Sequence, residues 1–191
     1  LLASVDPAMR SGPFGSALLK SELVESGIPV LGIDNVQVEM FVAEYRRFVS
    51  PEKYTSLARY AVRPNDVMIT IMGTVGRCCV VPNDIGREIS SKHTWTLTFD
   101  SDRYRPYLAC AQFNYAPWVL RHFEVDGQGG MMDAIRSETL RSTKLPVPPM
   151  SEQIRIEDVL RSIDAERMTH LAELASLDTL KSGLLSDLLT G

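Results

Sequence analysis

The sequence predicts a mixed α/β (α+β-like) globular domain followed by one long C-terminal α-helix. Three observations carry that expectation. Apolar runs of strand length alternate with helical segments as far as residue 146. The segment Leu145-Pro146-Val147-Pro148-Pro149-Met150 then forces an extended path, because proline cannot occupy a helix interior. From Ser151 to Thr190 there is no proline, and Gly183 is the only glycine. The expected division is residues 1–147 for the domain and residues 148–191 for the helix.

Each element follows from its own residues. Ile28-Pro29-Val30-Leu31-Gly32-Ile33 is a short apolar strand. Ser50-Pro51-Glu52 reads as a helix start, with Ser as N-cap and Pro at the first helical position, and the helix should run to Arg59. Pro64-Asn65-Asp66 is a turn. Val67 to Met72 is a strand, Gly73-Thr74-Val75-Gly76 a tight connection, and Arg77 to Val81 the return strand. Pro82-Asn83-Asp84 is a second turn. Thr94 to Phe99 alternates polar and apolar residues, which predicts one buried and one wet face. Arg105 to Asn114 and Pro117 to Phe123 read as helices, and Gly127-Gln128-Gly129-Gly130 as a flexible turn.

In the long helix, Ser151 is the expected N-cap, and Glu152 complements the helix dipole in the first turn. Ile156, Leu160, Ile163, Leu171, Leu174, Leu177, Leu184 and Leu188 recur at mostly helical spacing and form the expected interface. The repeat slips between Arg167 and His170. A helix of roughly 38 residues would be about 57 Å long. That exceeds the diameter of the domain before it, so the apolar stripe should lie on something outside the domain, most simply another long helix.

Composition narrows the class. The chain has 191 residues, 45% hydrophobic and 23% charged, average for a globular protein. No run approaches eighteen apolar residues, so nothing is expected to span a membrane. The start, Leu1-Leu2-Ala3-Ser4-Val5-Asp6, lacks a basic region followed by an apolar core, so no signal peptide is expected. It also lacks Met, which suggests a piece of something longer. Cys78, Cys79 and Cys110 have no zinc-site spacing and read as reduced buried thiols of a cytoplasmic protein. Residues 1–150 carry 16 basic and 16 acidic side chains, while residues 151–191 carry 4 and 8; the second segment supplies the whole net charge of −4.

Catalytic signatures are few. Gly73-Thr74-Val75-Gly76 has neither spacing of a nucleotide-binding loop and sits between strands. Asp84, Glu88 and Lys92 are the closest approach to a nuclease metal site and lack a third ligand. His93, His122 and His170 stand singly, and His122 reads as a packing or surface residue. There is no G-x-S-x-G, no H-E-x-x-H, and no Asn/Asp-Pro-Pro-aromatic segment of adenine methyltransferases. What remains is a set of polar and basic residues near turns: Ser16 and Lys20, Thr74 and Arg77, Lys92 and His93, Gln128 and Arg136. Such side chains reach base edges and phosphates.

These residues sit among motifs that resemble a known family. Pro148-Pro149-Met150-Ser151-Glu152-Gln153-Ile154-Arg155-Ile156 is similar to the P-P-x-x-E-Q-x-x-I start of the long helix in type I restriction–modification specificity subunits. Leu180 to Gly191 resembles that helix's closing segment. Gly12 to Ser16, Gly27 to Leu31, Arg63 to Thr70 and Gly73 to Arg77 resemble the family's domain, with Asn65 where Gly is frequent. The resemblance implies a target recognition domain and a spacer helix that packs in an antiparallel coiled coil, with its equivalent in a longer subunit or with a second copy.

It also implies a non-catalytic subunit that reads one half of a bipartite site in double-stranded DNA and docks the methyltransferase subunits. Methyl transfer with S-adenosylmethionine, and cleavage by a restriction subunit, would belong to partners; no cofactor is expected in this chain. Lys20, Arg77 and Lys92 lead the expected DNA contacts, followed by Thr74, His93, Gln128, Ser16 and Arg136. The alternative is a protein–protein interaction module acting through its helix. Basic side chains gathered on one face of residues 1–146 would separate the two.

Overall fold

The apolar runs pair into two sheets. In the computed structural model, which describes residues 1–127 and 135–190, β1 (Met9–Ser11), β4 (Val67–Thr70), β5 (Cys78–Val80) and β7 (Thr94–Leu97) form an antiparallel sheet. Its order is β1-β7-β4-β5. β2 (Ile28–Leu31), β3 (Phe48–Val49) and β6 (Ile89–Ser90) form a second sheet, with β2 central, antiparallel to β3 and parallel to β6.

Alternation along a strand sends neighbouring residues to opposite faces. Met68 and Cys79 therefore share one face, where they pack with Leu31, Val36, Val62 and Val81. Cys78 points the other way, towards α2 (Pro106–Tyr115), whose Asn114 both accepts from its N–H and donates to its carbonyl. α3 (Pro117–Gly127) and α4 (Ser137–Ser142) follow, joined by His122, whose Nε2 meets the Thr139 carbonyl at 3.0 Å and Ser142 Oγ at 3.1 Å. A second cluster, Val30, Val49, Leu57 and Ile89, lies under α1 (Pro51–Ser56) and the Leu18–Leu23 segment. Ser50 caps α1 as expected, its Oγ accepting from the Lys53 N–H at 3.2 Å.

Several expected boundaries move. β4 stops at Thr70 and β5 starts at Cys78, so the hairpin connection spans residues 71–77. The helix expected to reach Arg59 ends at Ser56, and a 3-10 turn, Ala58–Tyr60, replaces its last turn. The expected wet face of Thr94–Phe99 is absent, because Thr94 and Thr96 are buried between the sheets. β1, β3, β6 and α4 are too short to announce themselves by periodicity. Ser151 is not an N-cap, since α5 (Met150–Thr190) starts one residue earlier. Gln128 and most of the Gly127–Gly130 turn lie outside the described residues.

Packing divides the chain into two units, Leu1–Met150 and Ser151–Gly191. α5 has 41 residues, about 62 Å at 1.5 Å per residue. Among the described residues no helix is long and apolar enough to cross a membrane.

Two polar details hold the first sheet in register. Asn65 adopts φ 62°, the left-handed region that Asn tolerates better than most residues, and its N–H donates to the Val81 carbonyl at 3.1 Å. Asn is, after Gly, the residue that enters this region most readily. Asn65→Ala should cost about 1 kcal/mol of stability in denaturant unfolding, and Asn65→Gly much less.

The second detail is Arg10, which is fully buried and ion-paired with Asp66. Its Nε donates to the Ala61 carbonyl at 2.8 Å and its Nη1 to Thr98 Oγ1 at 2.9 Å. Asp66 also accepts from the Arg63 N–H at 2.7 Å and Thr98 Oγ1 at 2.5 Å. Burial pushes the Asp66 carboxyl up from its ordinary value, and Arg10, Thr98 and Arg63 oppose it. Arg10→Met would strand a buried carboxylate, at a cost of about 3–5 kcal/mol. Adding Asp66→Asn should recover at least half of that loss in thermal unfolding, because the remaining group is neutral and keeps the Arg63 N–H.

Candidate nucleic-acid interface

Topology brings four loops to one end of both sheets. β1 ends where β7 begins, because Ser11 pairs with Trp95. β4 ends there too, through Thr70 opposite Thr94. β2 runs parallel to β6, with Leu31 beside Ser90, so Gly32 and Ser91 leave together. The loops after β1, after β2, between β4 and β5, and between β6 and β7 therefore share this end.

Backbone bonds tie them to one another. The Gly12 N–H donates to the Ser91 carbonyl at 3.1 Å, and the Ser91 N–H to the Leu31 carbonyl at 2.7 Å. The Ile71 N–H donates to the His93 carbonyl at 3.0 Å. A Cβ on Gly12 would overlap the Ser90 carbonyl, so glycine is required there for close approach rather than for its dihedral freedom.

The hairpin loop is shaped from within. Thr70 Oγ1 donates to the Thr74 carbonyl and accepts from the Arg77 N–H at 3.0 Å. Gly73 at φ 77° and Gly76 at φ 89° make the bend. Arg77 is half-buried, and its Nη1 donates to Gln37 Oε1 at 2.6 Å. Gln37 thus fixes the guanidinium on the loop after β2. Thr74 Oγ1 is buried and meets no partner among the described residues.

Lys92 and His93 stand on the adjoining loop, Lys92 exposed and His93 half-buried. Arg47, just before β3, joins them: its backbone carbonyl accepts from Val30, and its side chain pairs with Asp34. Burial, then Lys92, then Arg47 hold His93 below its ordinary value. At neutral pH the ring is uncharged, with one donor and one acceptor nitrogen. Arg77, Lys92 and the uncharged His93 ring therefore stand on adjoining loops, with Arg47 neutralised by Asp34 beside them.

The other expected contacts stand on further segments: Ser16 and Lys20 in the loop after β1, Arg136 just before α4. Ser16 and Lys20 occupy exposed 3-10 turns. The Lys20 turn is anchored on α1, where Glu22 accepts from Lys53 Nζ at 2.7 Å. Arg136 precedes α4 in the helical layer, next to Ile135, whose carbonyl accepts from Trp95 Nε1 at 3.0 Å. Sequence reasoning missed Arg47, Asp34 and Gln37. The signal for the last two was polar residues directly after an apolar strand.

Asp84, Glu88 and Lys92 are the sequence's nearest approach to a metal site. Glu88 is buried, accepting from Tyr45 Oη at 3.4 Å, and Lys92 is exposed in a loop where strand alternation does not apply. Among the described residues no three His, Cys, Asp or Glu side chains are placed to share a metal. The cysteines are buried free thiols, and burial pushes Cys78 and Cys79 up, away from the thiolate.

With this geometry, the comparisons decide the family. The model of the type I restriction modification DNA specificity domain matches residues 16–177. The chain belongs to that family. A protein of Methanocaldococcus jannaschii named as a type I restriction enzyme MjaX specificity subunit is 25% identical over 146 residues, covering 75% of this chain and 32% of that protein. The HsdS subunit from Thermoanaerobacter tengcongensis superposes with a TM-score of 0.55 at 19% identity, over 86% of this chain and 39% of that one. A chain from a structure of type I R-M system assembly and conformational transition superposes with a TM-score of 0.58, also at 19% identity, over 86% of this chain and 40% of the other. The specificity-domain fold is thus shared, and this chain spans about a third to two fifths of each relative.

Glu88 yields a pH test of the fold around this specificity domain's second sheet. Its Oε2 is buried without a partner among the described residues, and burial pushes the carboxyl up, opposed by the Gly86 backbone and Tyr45. The folded chain then binds more protons than the unfolded one between the unfolded value, about 4.3, and the raised folded value. Stability falls as pH rises through that window. Glu88→Gln should therefore stabilise the protein by about 1 kcal/mol at neutral pH, and change little near pH 3, where both states of the parent carry the proton. Urea unfolding at the two pH values checks the difference.

Proposed function

We propose that this chain is a non-catalytic DNA-reading unit of a type I restriction–modification complex. The loop cluster at one end of the sheets reads one half of a bipartite site in double-stranded DNA. α5 is the joint to a second such unit and part of the surface that docks methyltransferase subunits. Methyl transfer from S-adenosylmethionine and cleavage belong to the methyltransferase and restriction subunits. The working compartment is the cytoplasm, where these partners meet DNA.

One observation carries the reading: in a chain of this family, topology gathers Arg47, Arg77, Lys92 and His93 on adjoining loops. Phosphate contacts supply affinity, and side chains at base edges supply specificity. We read Arg77, held by Gln37 at the glycine hairpin, as the contact to a base edge. Lys92, exposed and mobile about four carbons, suits a phosphate.

The test assembles Lys20→Ala, Arg77→Ala and Lys92→Ala chains with the methyltransferase partner and titrates target and scrambled duplexes at two salt concentrations. Loss of a phosphate contact should weaken binding to both duplexes and lower the salt slope by about 1. Loss of a base contact should cost about 1–3 kcal/mol on the target and little on the scrambled duplex. Arg77→Ala is expected to follow the second pattern and Lys92→Ala the first. Unchanged affinity and slope for all three would place the DNA-binding face elsewhere.

A further inference from the structure

Three of the four loops that share one end of the sheets leave large apolar side chains in water: Phe14 after β1, Val38 and Met40 after β2, and Val75 in the hairpin. Single apolar residues scattered over a surface carry little information. These stand on the same adjoining loops as Arg77 and Lys92. Phe14 is the largest of them and is 57% exposed.

Its loop is built to hold it there. Gly12 and Pro13 are buried, and the Gly12 N–H donates to the carbonyl of Ser91, the residue before Lys92, at 3.1 Å. The Phe14 carbonyl accepts from the Ala17 N–H at 3.1 Å. Proline fixes its own φ, so the backbone is restrained on both sides of Phe14. Leu18 and Leu23, further along the same segment, turn inward on the cluster of Val30, Val49, Leu57 and Ile89. Phe14 is turned out.

We infer that Phe14 is a specificity residue of this end of the domain, reading the C5-methyl group of a thymine in the half-site. This deepens, and rests on, the reading of these loops as the DNA-contacting end. The neighbouring cations select the partner: Lys92 beside the loop's anchor and Arg77 on the hairpin complement a phosphate backbone, so a ring carried among them meets a duplex. In the major groove the base edges offer hydrogen-bond donors and acceptors, and thymine adds an apolar group, its C5-methyl. The minor groove displays no such group. Base faces are apolar as well, but a ring reaches them only by unstacking a step, a cost that a methyl contact avoids. A side chain with neither donor nor acceptor therefore gains from a stacked duplex chiefly through that methyl. Because the methyl lies on one side of the pair, the contact also tells T·A from A·T. Hydrogen-bonding side chains and an apolar one then read different features of the same half-site.

The experiment removes one methyl at a time. Each thymine of the target duplex, in both strands, is replaced by deoxyuridine, and the duplexes are titrated against parent, Phe14→Ala and Phe14→Leu chains assembled with the methyltransferase partner. Loss of the contacted methyl should weaken parent binding about fourfold at one position. Phe14→Ala should bind the unmodified target about fourfold or more weakly and be indifferent to deoxyuridine at that position. Phe14→Leu, still apolar, should keep a preference for thymine there. 2-Aminopurine beside that thymine should show no rise in fluorescence that depends on Phe14, since the step stays stacked. Parent binding indifferent to deoxyuridine everywhere, a thymine preference that survives in Phe14→Ala, or a 2-aminopurine rise that Phe14→Ala abolishes overturns the methyl contact. A Phe14→Ala chain that no longer assembles with the methyltransferase overturns it too, and makes the ring a protein contact. A parent that prefers target to scrambled duplex without any dependence on thymine methyls sinks the role of Phe14 alone. A parent with no preference for target over scrambled duplex sinks the DNA reading itself.

Discussion

The buried pair of Arg10 and Asp66 is the constraint from which the rest of the domain follows. Arg10 belongs to β1, Asp66 precedes β4, Thr98 follows β7, and Ala61 pairs with Ile89 of β6. One guanidinium therefore joins three strands of the first sheet to the edge of the second. A charge this deep is tolerated only when its donors are met with good geometry. Arg10 contacts carbonyl, hydroxyl and carboxylate partners from four chain segments, so small displacements of any segment leave a buried polar group unmet. That is a strong specification of register, independent of how well the apolar residues pack.

Register matters here because the loops that carry Arg77, Lys92 and His93 lie at the other tip of the same strands. A slip of one residue in β4 or β7 would turn every side chain to the opposite face and separate the loops after Thr70 and before Thr94. Arg77 would then lose Gln37, and the Ile71 N–H would lose the His93 carbonyl. The polar interior at one end of the sheets and the basic loops at the other are two consequences of one alignment. The acidic pI is no obstacle to this reading. The excess of carboxylates lies in residues 151–191, while the domain is neutral and can present its cations locally.

How much of this was legible in the sequence depends on the length of each element. The hairpin, α1 with its Ser50 cap, α2, α3 and the long helix are each announced by several residues in a recognisable pattern. β1, β3 and β6 have two or three residues each, and their strand state comes from long-range pairing. Thr94 and Thr96 misled because alternation cannot tell a wet face from a face covered by a second sheet. The candidate site was half visible: Thr74, Arg77, Lys92 and His93 stand at loop tips that local signals mark. Arg47 and Gln37 enter only through the parallel pairing of β2 with β6, which brings the loop after β2 beside the loop before β7. No local pattern encodes a parallel crossover.

The helix shows the reverse case, where local pattern announces the element at once and polar residues stand inside its apolar stripe. Read as heptads, the stripe of α5 is interrupted by Arg167, His170 and Lys181; read in elevens, it is interrupted by Arg167, Asp178 and Ser182. In either period three polar side chains stand within the apolar run, Arg167 among them. Leucine against leucine is tolerant of sliding, because neighbouring turns offer similar apolar surfaces. A cation on the stripe is not tolerant, since each wrong register sets it on an apolar group or a like charge. The polar residues that weaken the stripe as a hydrophobic surface are thus the ones able to select a single alignment, just as Arg10 does inside the domain.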